Sequence, residues 1–499
     1  MNFAVKLMTT ALLFAFSAIF AAKPLTIWIM PNGASPQEKL EQLLEKFTKN
    51  TGIPTQVEVL DWGEAWNRIS TVLASGTDAP DVVQLGTTWI PYFATRNEIK
   101  PLNAWFNKIK PERFVQVSWN TTHIESDTLV YSVPWFIDIR PILGNKRIMR
   151  KNGITREDVA TYDGFVKAIR KIEASKESLE DGTRIHAFAF PGKSDWNISH
   201  NFAPWIWSNG GDFIAKDERG KWHANILTEK TLSGIAKYLN FVLDTLVPPE
   251  ALLTNTAQIV QQFNAGELAF IVNTAEIVMQ TRYDGSKGGL SNAKIGSDSV
   301  TVIHIPNGSV GSVSFIGGSN LAIPASNTRS EAISLLAFLT SDNSLDAYTR
   351  QIGFLPPSKD VLTKWSEDPE YKELVTALET GKAYPAIPEW GDIEQILVGM
   401  FSAVWDHLEI PALYSEEKLY QIFKDYSAQI NERLKYTATN EMTQAEFIGI
   451  WHKALGIEAT PKAEPPSNDI VRNNLRLAPF IFVTVILLSF IVSFRRKKK

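Results

Sequence analysis

The residues with the most chemical content in this chain are its tryptophans and the polar groups beside them. There are 15 Trp among 499 residues, and many stand in short polar runs. Asp61-Trp62-Gly63-Glu64 is followed by Trp66, and Thr87-Thr88 by Trp89. Trp135 precedes Asp138 and Arg140, while Trp205 and Trp207 precede the turn Gly210-Gly211-Asp212. Asn273, Thr274 and Glu276 follow the apolar run 268–272, and Ser319 and Asn320 follow Gly317-Gly318. A pyranose has an apolar face of C–H bonds that stacks on an aromatic ring, and an edge of hydroxyls that carboxylates, amides and guanidinium groups bind. Each buried polar contact discriminates, because an epimer leaves its partner unsatisfied. Tryptophan mixed with Asp, Glu, Asn and Arg therefore suits the recognition of sugars.

Other chemistries lack their residues. Zero cysteines exclude disulfides, iron–sulfur clusters, thiolate zinc sites and cysteine nucleophiles. His186, His200, His223 and His304 fall in no metal-ligand spacing, and no H-E-x-x-H, Walker loop, dinucleotide glycine fingerprint or G-x-S-x-G occurs. No cofactor or metal is implied. Carboxylates are plentiful, so a glycosidase pair stays open without positive support. With 44% hydrophobic and 21% charged residues the composition is ordinary globular, and the length allows two or three domains. The net charge of −4 argues against a nucleic-acid partner.

The elements that must hold these residues alternate. LTIWIM (25–30) is rich in β formers. Ser35-Pro36-Gln37-Glu38 predicts a capped helix start with proline at the first helical position. Leu40, Leu43, Leu44 and Phe47 give that helix its apolar stripe, and Gly52 stops it. QVEVL (56–60) is a second strand, a helix follows over about 64–75, and DVVQLG (81–86) is a third strand. Strand–helix–strand–helix–strand with short links specifies a parallel sheet with right-handed crossovers. Ligands of such sheets lie beyond the carboxyl ends of the strands, which selects the loops 31–34, 61–66 and 87–90. Trp66 continues the stripe of Ile69 and Leu73 and is expected to pack; Trp62 and Trp89 follow directly after strands and are expected to meet ligand.

The two ends differ from this body. Residues 1–22 place Lys6 before an apolar run and end in Ala21-Ala22, the layout of a secretory signal. Residues 477–494 are uncharged and, at about 1.5 Å per residue, long enough to cross a bilayer. Arg495 to Lys499 follow at once and predict a cytoplasmic tail by the positive-inside rule. Residues 456–476, with three prolines and no helical period, are expected to link body and membrane.

Several stretches, in order, resemble one family. They include LTIWIMPNG, ISTVLASGTDAPDVVQLGTTWIPYFATRNEIKPL, YSVPWFIDIRPILGNKRIMRKNGI, FNAGELAFIV, GGSNLAIPASNTRSEAISLLAFLTS and IGFLPPSKDVL. Residues 24–435 resemble the extracellular solute-binding proteins of family 1, the sugar-binding components of ATP-binding-cassette (ABC) importers. Gly144-Asn145-Lys146 departs from the tyrosine that relatives often carry before the asparagine. Where many relatives have a lipidated N-terminal cysteine, this chain has none and carries the C-terminal helix instead. The resemblance implies an α/β, two-lobe periplasmic-binding-protein fold with a hinge and an interlobe cleft, plus that transmembrane helix. Lobe 1 would comprise 23–133 and 306–354, and lobe 2 134–305 and 355–455. It further implies ligand contacts from Asn32, Trp62, Glu64, Thr88, Trp89, Trp135 and Asp138, and from Trp207, Asn273, Glu276, Ser319, Asn320 and Trp390. The expected activity is binding without catalysis: a monomer, tethered to the inner membrane with its body outside, passes a carbohydrate (an oligosaccharide, from the Trp abundance) to the permease subunits of an ABC importer. A sensor of the same fold and a tethered glycan hydrolase are the competing expectations.

Overall fold

A computed structural model describes residues 23–33, 35–193, 195–247, 249–282, 299–438 and 442–457. β1 (Leu25–Ile29), β2 (Thr55–Val59) and β3 (Val82–Gly86) form the expected parallel set, with β1 in the middle. The first connection is the helix Pro36–Thr51, which buries Leu40, Leu43, Leu44 and Phe47 and ends at Gly52, whose φ of 73° lets its N–H bond Thr48 O at 2.8 Å. Ser35 departs from expectation. It adopts the left-handed conformation and its side chain caps nothing, because a capping hydroxyl needs an extended backbone to reach back into the first turn. The second helix begins at Trp62, two residues earlier than expected, because Asp61 is an extended N-cap whose carboxylate accepts from Gly63 N at 2.8 Å. Trp62 is thus fixed in a helical first turn.

The first sheet is completed by strands from far along the chain. β4 (Ser132–Arg140) and β11 (Phe315–Ala322) pair antiparallel, and β11 lies between β3 and β4, giving the order β2-β1-β3-β11-β4. The second sheet has the order β10-β5-β9-β6, built from β5 (Ile142–Asn145), β6 (His186–Ala189), β9 (Leu268–Val272) and β10 (Val300–Ile303). The hairpin strands β7 (Ile214–Lys216) and β8 (Trp222–Ala224) stand apart. Only Pro141 separates β4 from β5, so β4 carries the chain from one sheet into the other, and β11 brings it back. A third crossing pairs Leu355 with Ile137 through reciprocal bonds of 2.8 and 3.1 Å. Between these crossings β4 and β11 slip register at Ser319/Asn320. There Gly318 has φ 133°, and a Cβ would lie 2.2 Å from Phe136 O, so this bulge requires glycine.

Separate apolar cores cover the two faces of the first sheet. A third core surrounds the second sheet and joins it to the C-terminal helices Trp390–Glu409, Glu416–Arg433 and Gln444–Leu455. Phe202 and Phe401 stack there with centroids 3.7 Å apart. Residues Gly456–Lys499 form a separate unit. The expected span at 477–494, the basic tail and most of the linker lie outside the described residues, as does the expected signal at 1–22. Among the described residues no helix is long and apolar enough to cross a membrane.

Candidate functional site

The loops after the parallel strands converge as the topology requires. Trp62 donates its indole N–H to Pro31 O at 3.1 Å, joining the loops after β1 and β2. Its ring meets Trp89 edge-on at 5.9 Å, and Trp89 meets Trp66 at 5.2 Å. Trp66 in turn packs on Tyr92 and Phe93. The three indoles form one graded cluster in which Trp66 is half-buried support, Trp89 is intermediate and Trp62 is 42% exposed. Glu64 is exposed on the same first turn.

From this cluster a polar row crosses between the lobes. Thr88 lies beside the carboxyl of Glu394, on the helix Trp390–Glu409. Glu394 Oε1 is 3.5 Å from His200 Nε2, and His200 Nδ1 is 2.9 Å from the Tyr384 hydroxyl. Burial pushes the Glu394 carboxyl up to about 7, because a carboxylate there gives up water without a full ion pair in return. Burial, aided by the nearby Arg140, holds His200 well below its ordinary value, so its imidazole is neutral.

Arg140 is the centre of the row. It is 2% exposed and each guanidinium nitrogen makes a hydrogen bond: Nε and Nη2 donate to Asp138 Oδ2 at 3.1 and 2.8 Å, and Nη1 donates to Asn197 Oδ1. Asp138 Oδ1 is buried without a partner. Glu276 opens the helix Glu276–Arg282 after β9. Burial pushes its carboxyl up to about 7, with the Asp138 carboxylate adding to the rise and Arg140 and Lys39 opposing it. Asp138, Glu276 and Glu394 thus lie around one guanidinium that bonds only Asp138 of the three, an acceptor-rich edge suited to taking hydrogen bonds from hydroxyls.

The other expected contacts divide by burial. Asn32 and Ser319 belong to a closed network around Gln84: the Asn32 amide donates to Gln84 Oε1 at 2.9 Å, and Gln84 donates to Ser319 Oγ at 2.8 Å and to Asn32 Oδ1 at 3.1 Å. Asn320 faces the opposite core and donates to Thr121 and Ser132. Asn273 turns its side-chain oxygen to Thr274 N at 2.7 Å. Trp135 is fully buried and stacks on Tyr348 at 4.7 Å. Trp207 is buried with its indole N–H on Asp212, and Trp390 is buried against Tyr384. These rings are packing surfaces here: each lies among apolar side chains from neighbouring elements, so neither face is free to stack on a ligand. Asn145 caps the helix Lys146–Lys151, accepting from Arg147 N and Ile148 N.

Four residues of the row escaped sequence reasoning: Trp196, Asn197, His200 and Glu394. Trp196 had a signal, since Asp195-Trp196-Asn197 follows β6, which is parallel to β9, in a polar run. Glu394 and His200 had none, because nothing local ties two residues so far apart. A cavity of about 1010 Å³ is lined in part by Val115, Val117, Leu362 and Leu378, which pack in the core of Ile137, Ile139 and Ile316, and it reaches Tyr384 of the row and Asp212, the partner of the Trp207 indole; none of the expected ligand residues lines it.

Known proteins share this architecture. Maltose-bound MalE3 of T. maritima superposes with a TM-score of 0.69 at 20% identity, covering 82% of this chain and 99% of that one. A solute-binding protein of an ABC transporter from Thermotoga lettingae, bound with alpha-D-tagatose, gives 0.70 at 19% identity over 83% and 100%. In sequence, the diacetylchitobiose binding protein DasA of Streptomyces coelicolor is 24% identical over 380 residues, 75% of this chain and 83% of DasA. A family model described as bacterial extracellular solute-binding protein matches residues 42–377. With two lobes, crossing strands between them and a match over most of its body, this chain belongs to the bacterial extracellular solute-binding proteins.

Proposed function

We propose that this protein is the membrane-tethered, carbohydrate-binding component of an ABC importer. The observation that carries the reading is the row itself: the exposed indole cluster after the parallel strands continues through Thr88, Glu394 and His200 toward the carboxyl-rich surroundings of Arg140. Ligand that contacts both lobes favours the closed arrangement by the difference in its contacts between open and closed states, and a permease then recognises closure. Relatives that bind maltose, tagatose and diacetylchitobiose support a sugar. We assign the lobes to 23–133 with 306–354 and 134–305 with 355–455. Trp62, Glu64, Thr88, Trp89, Asp138 and Glu276 contact ligand, while Asn32, Trp135, Trp207, Asn273, Ser319, Asn320 and Trp390 hold the walls. The signal at 1–22 exports the body, residues 456–476 link it, and 477–494 anchor it in the inner membrane. Binding proceeds without turnover.

A thermal-shift screen of the full-length chain in detergent against a panel of mono- and oligosaccharides tests this. A sugar at 100 times its Kd should stabilise the fold by about 2.7 kcal/mol. A panel in which no sugar raises the melting temperature would overturn it.

A further inference from the structure

The geometry points to Trp196 as a second stacking platform, supplied by lobe 2 against Trp62 of lobe 1, that makes the site selective for a saccharide of at least two rings. This rests on the carbohydrate reading above. Trp196 is 62% exposed, and with Trp62 it is one of two indoles among the described residues that leave more than a third of their surface in water. A single exposed apolar side chain is ordinary; what sets Trp196 apart is the scaffold that holds it.

Its exposure is not that of a loose loop. Both neighbours are buried and anchored. Asp195 accepts from Asn197 N at 2.8 Å, from Thr256 N at 2.7 Å and from the Thr256 hydroxyl at 2.9 Å. Asn197 accepts from Arg140 and donates to the Thr256 hydroxyl at 3.3 Å. The ring is backed by the Arg140 guanidinium, 5.5 Å from its centroid, and meets His200 edge-on at 5.8 Å. The indole is therefore held by its own scaffold with surface to spare. A platform fixed before the ligand arrives loses little entropy on binding.

The position matches that of Trp62. Each indole follows a strand with a parallel neighbour, one in each sheet, and each stands at one end of the row Trp89, Thr88, Glu394, His200. One sugar ring stacked on Trp62 leaves Trp196 uncovered. Linked rings that reach from one platform toward the other cover more of both and bring their hydroxyls to the polar row between them.

Calorimetric titration of the full-length protein in detergent with cellobiose, maltose and N,N′-diacetylchitobiose, and with glucose and N-acetylglucosamine, tests the assignment. At least one disaccharide should bind, and its monosaccharide unit should bind at least about tenfold more weakly. Trp196→Ala should weaken that disaccharide by about 5- to 150-fold, the range for one aromatic platform, and leave the melting temperature of the free protein unchanged. Trp196→Phe should recover most of the affinity. If a sugar binds and Trp196→Ala leaves its affinity within twofold, or if the monosaccharide binds as tightly as the disaccharide, the second platform is wrong while the carbohydrate reading stands. If no sugar binds the unmodified protein, both fall together.

Discussion

Trp62 and Trp135 are two tryptophans with opposite obligations. The first leaves its face in water at the end of a sheet, and the second is sealed against Tyr348. Trp62→Ala should therefore lower sugar affinity by about 5- to 150-fold, a loss of roughly 1–3 kcal/mol of stacking, with little change in unfolding. Trp135→Ala should cost about 3–5 kcal/mol of folding stability. Denaturant unfolding and calorimetric binding on both variants check this, and a reversed pattern would move the cleft. Glu394 makes a separate prediction. Its carboxyl is raised to about 7 from an ordinary 4.5, so between those values the folded state holds a proton that the unfolded state releases. Stability should then fall as pH rises from about 4.5 to 7 and level off above. Glu394→Gln removes this contribution, at most about 3 kcal/mol, and should make the melting-temperature profile shallower over that window, leaving the like contribution of Glu276; an unchanged slope counts against a buried, underpaired carboxyl. The indole cluster was legible in the sequence because loop residues after parallel strands announce their place. His200 and Glu394 were not, since their meeting depends on how a C-terminal helix packs on lobe 2.

Elements show the same divide between local and distant causes. The helix Pro36–Thr51 and the three opening strands follow from period and stop signals close in sequence. Its start at Pro36 followed too, but the Ser35 hydroxyl caps nothing, because its backbone is left-handed rather than extended. The bulge in β11 was equally hidden. Gly318 lies inside a strand, where φ of 133° and the closeness of Phe136 O leave no room for a Cβ. Gly318→Ala should cost at least about 1–3 kcal/mol from backbone strain alone, measured by urea unfolding, and a neutral result would mean the crossing strands relax freely. Asn255 provides a milder case. Its capping box with Gln258 starts the helix Thr256–Ala265, so Asn255→Ala should cost about 1 kcal/mol. Because Thr256 anchors Asp195, the same variant should also weaken sugar binding slightly.

At the scale of the whole molecule, the proposed tether gives a topological prediction. External protease added to spheroplasts should release a fragment close to the full body, cut within 456–476, and leave the basic tail protected; a body that resists cleavage while a cytoplasmic control stays intact would reverse the orientation. The interposition of β11 has a consequence for how this chain is made. β11 occupies the place between β3 and β4 in the first sheet, yet of the described strands it is the last to be synthesised. Until residue 322 is available, β3 lacks one neighbour and β4 cannot join the sheet at all. Such non-local pairing is slow to form, and the N-terminal half cannot lock into a stable unit while synthesis is under way. If the chain is exported as proposed, that delay suits passage through a narrow translocation channel, because the strand order defers closure of the first sheet until nearly the whole body has been made.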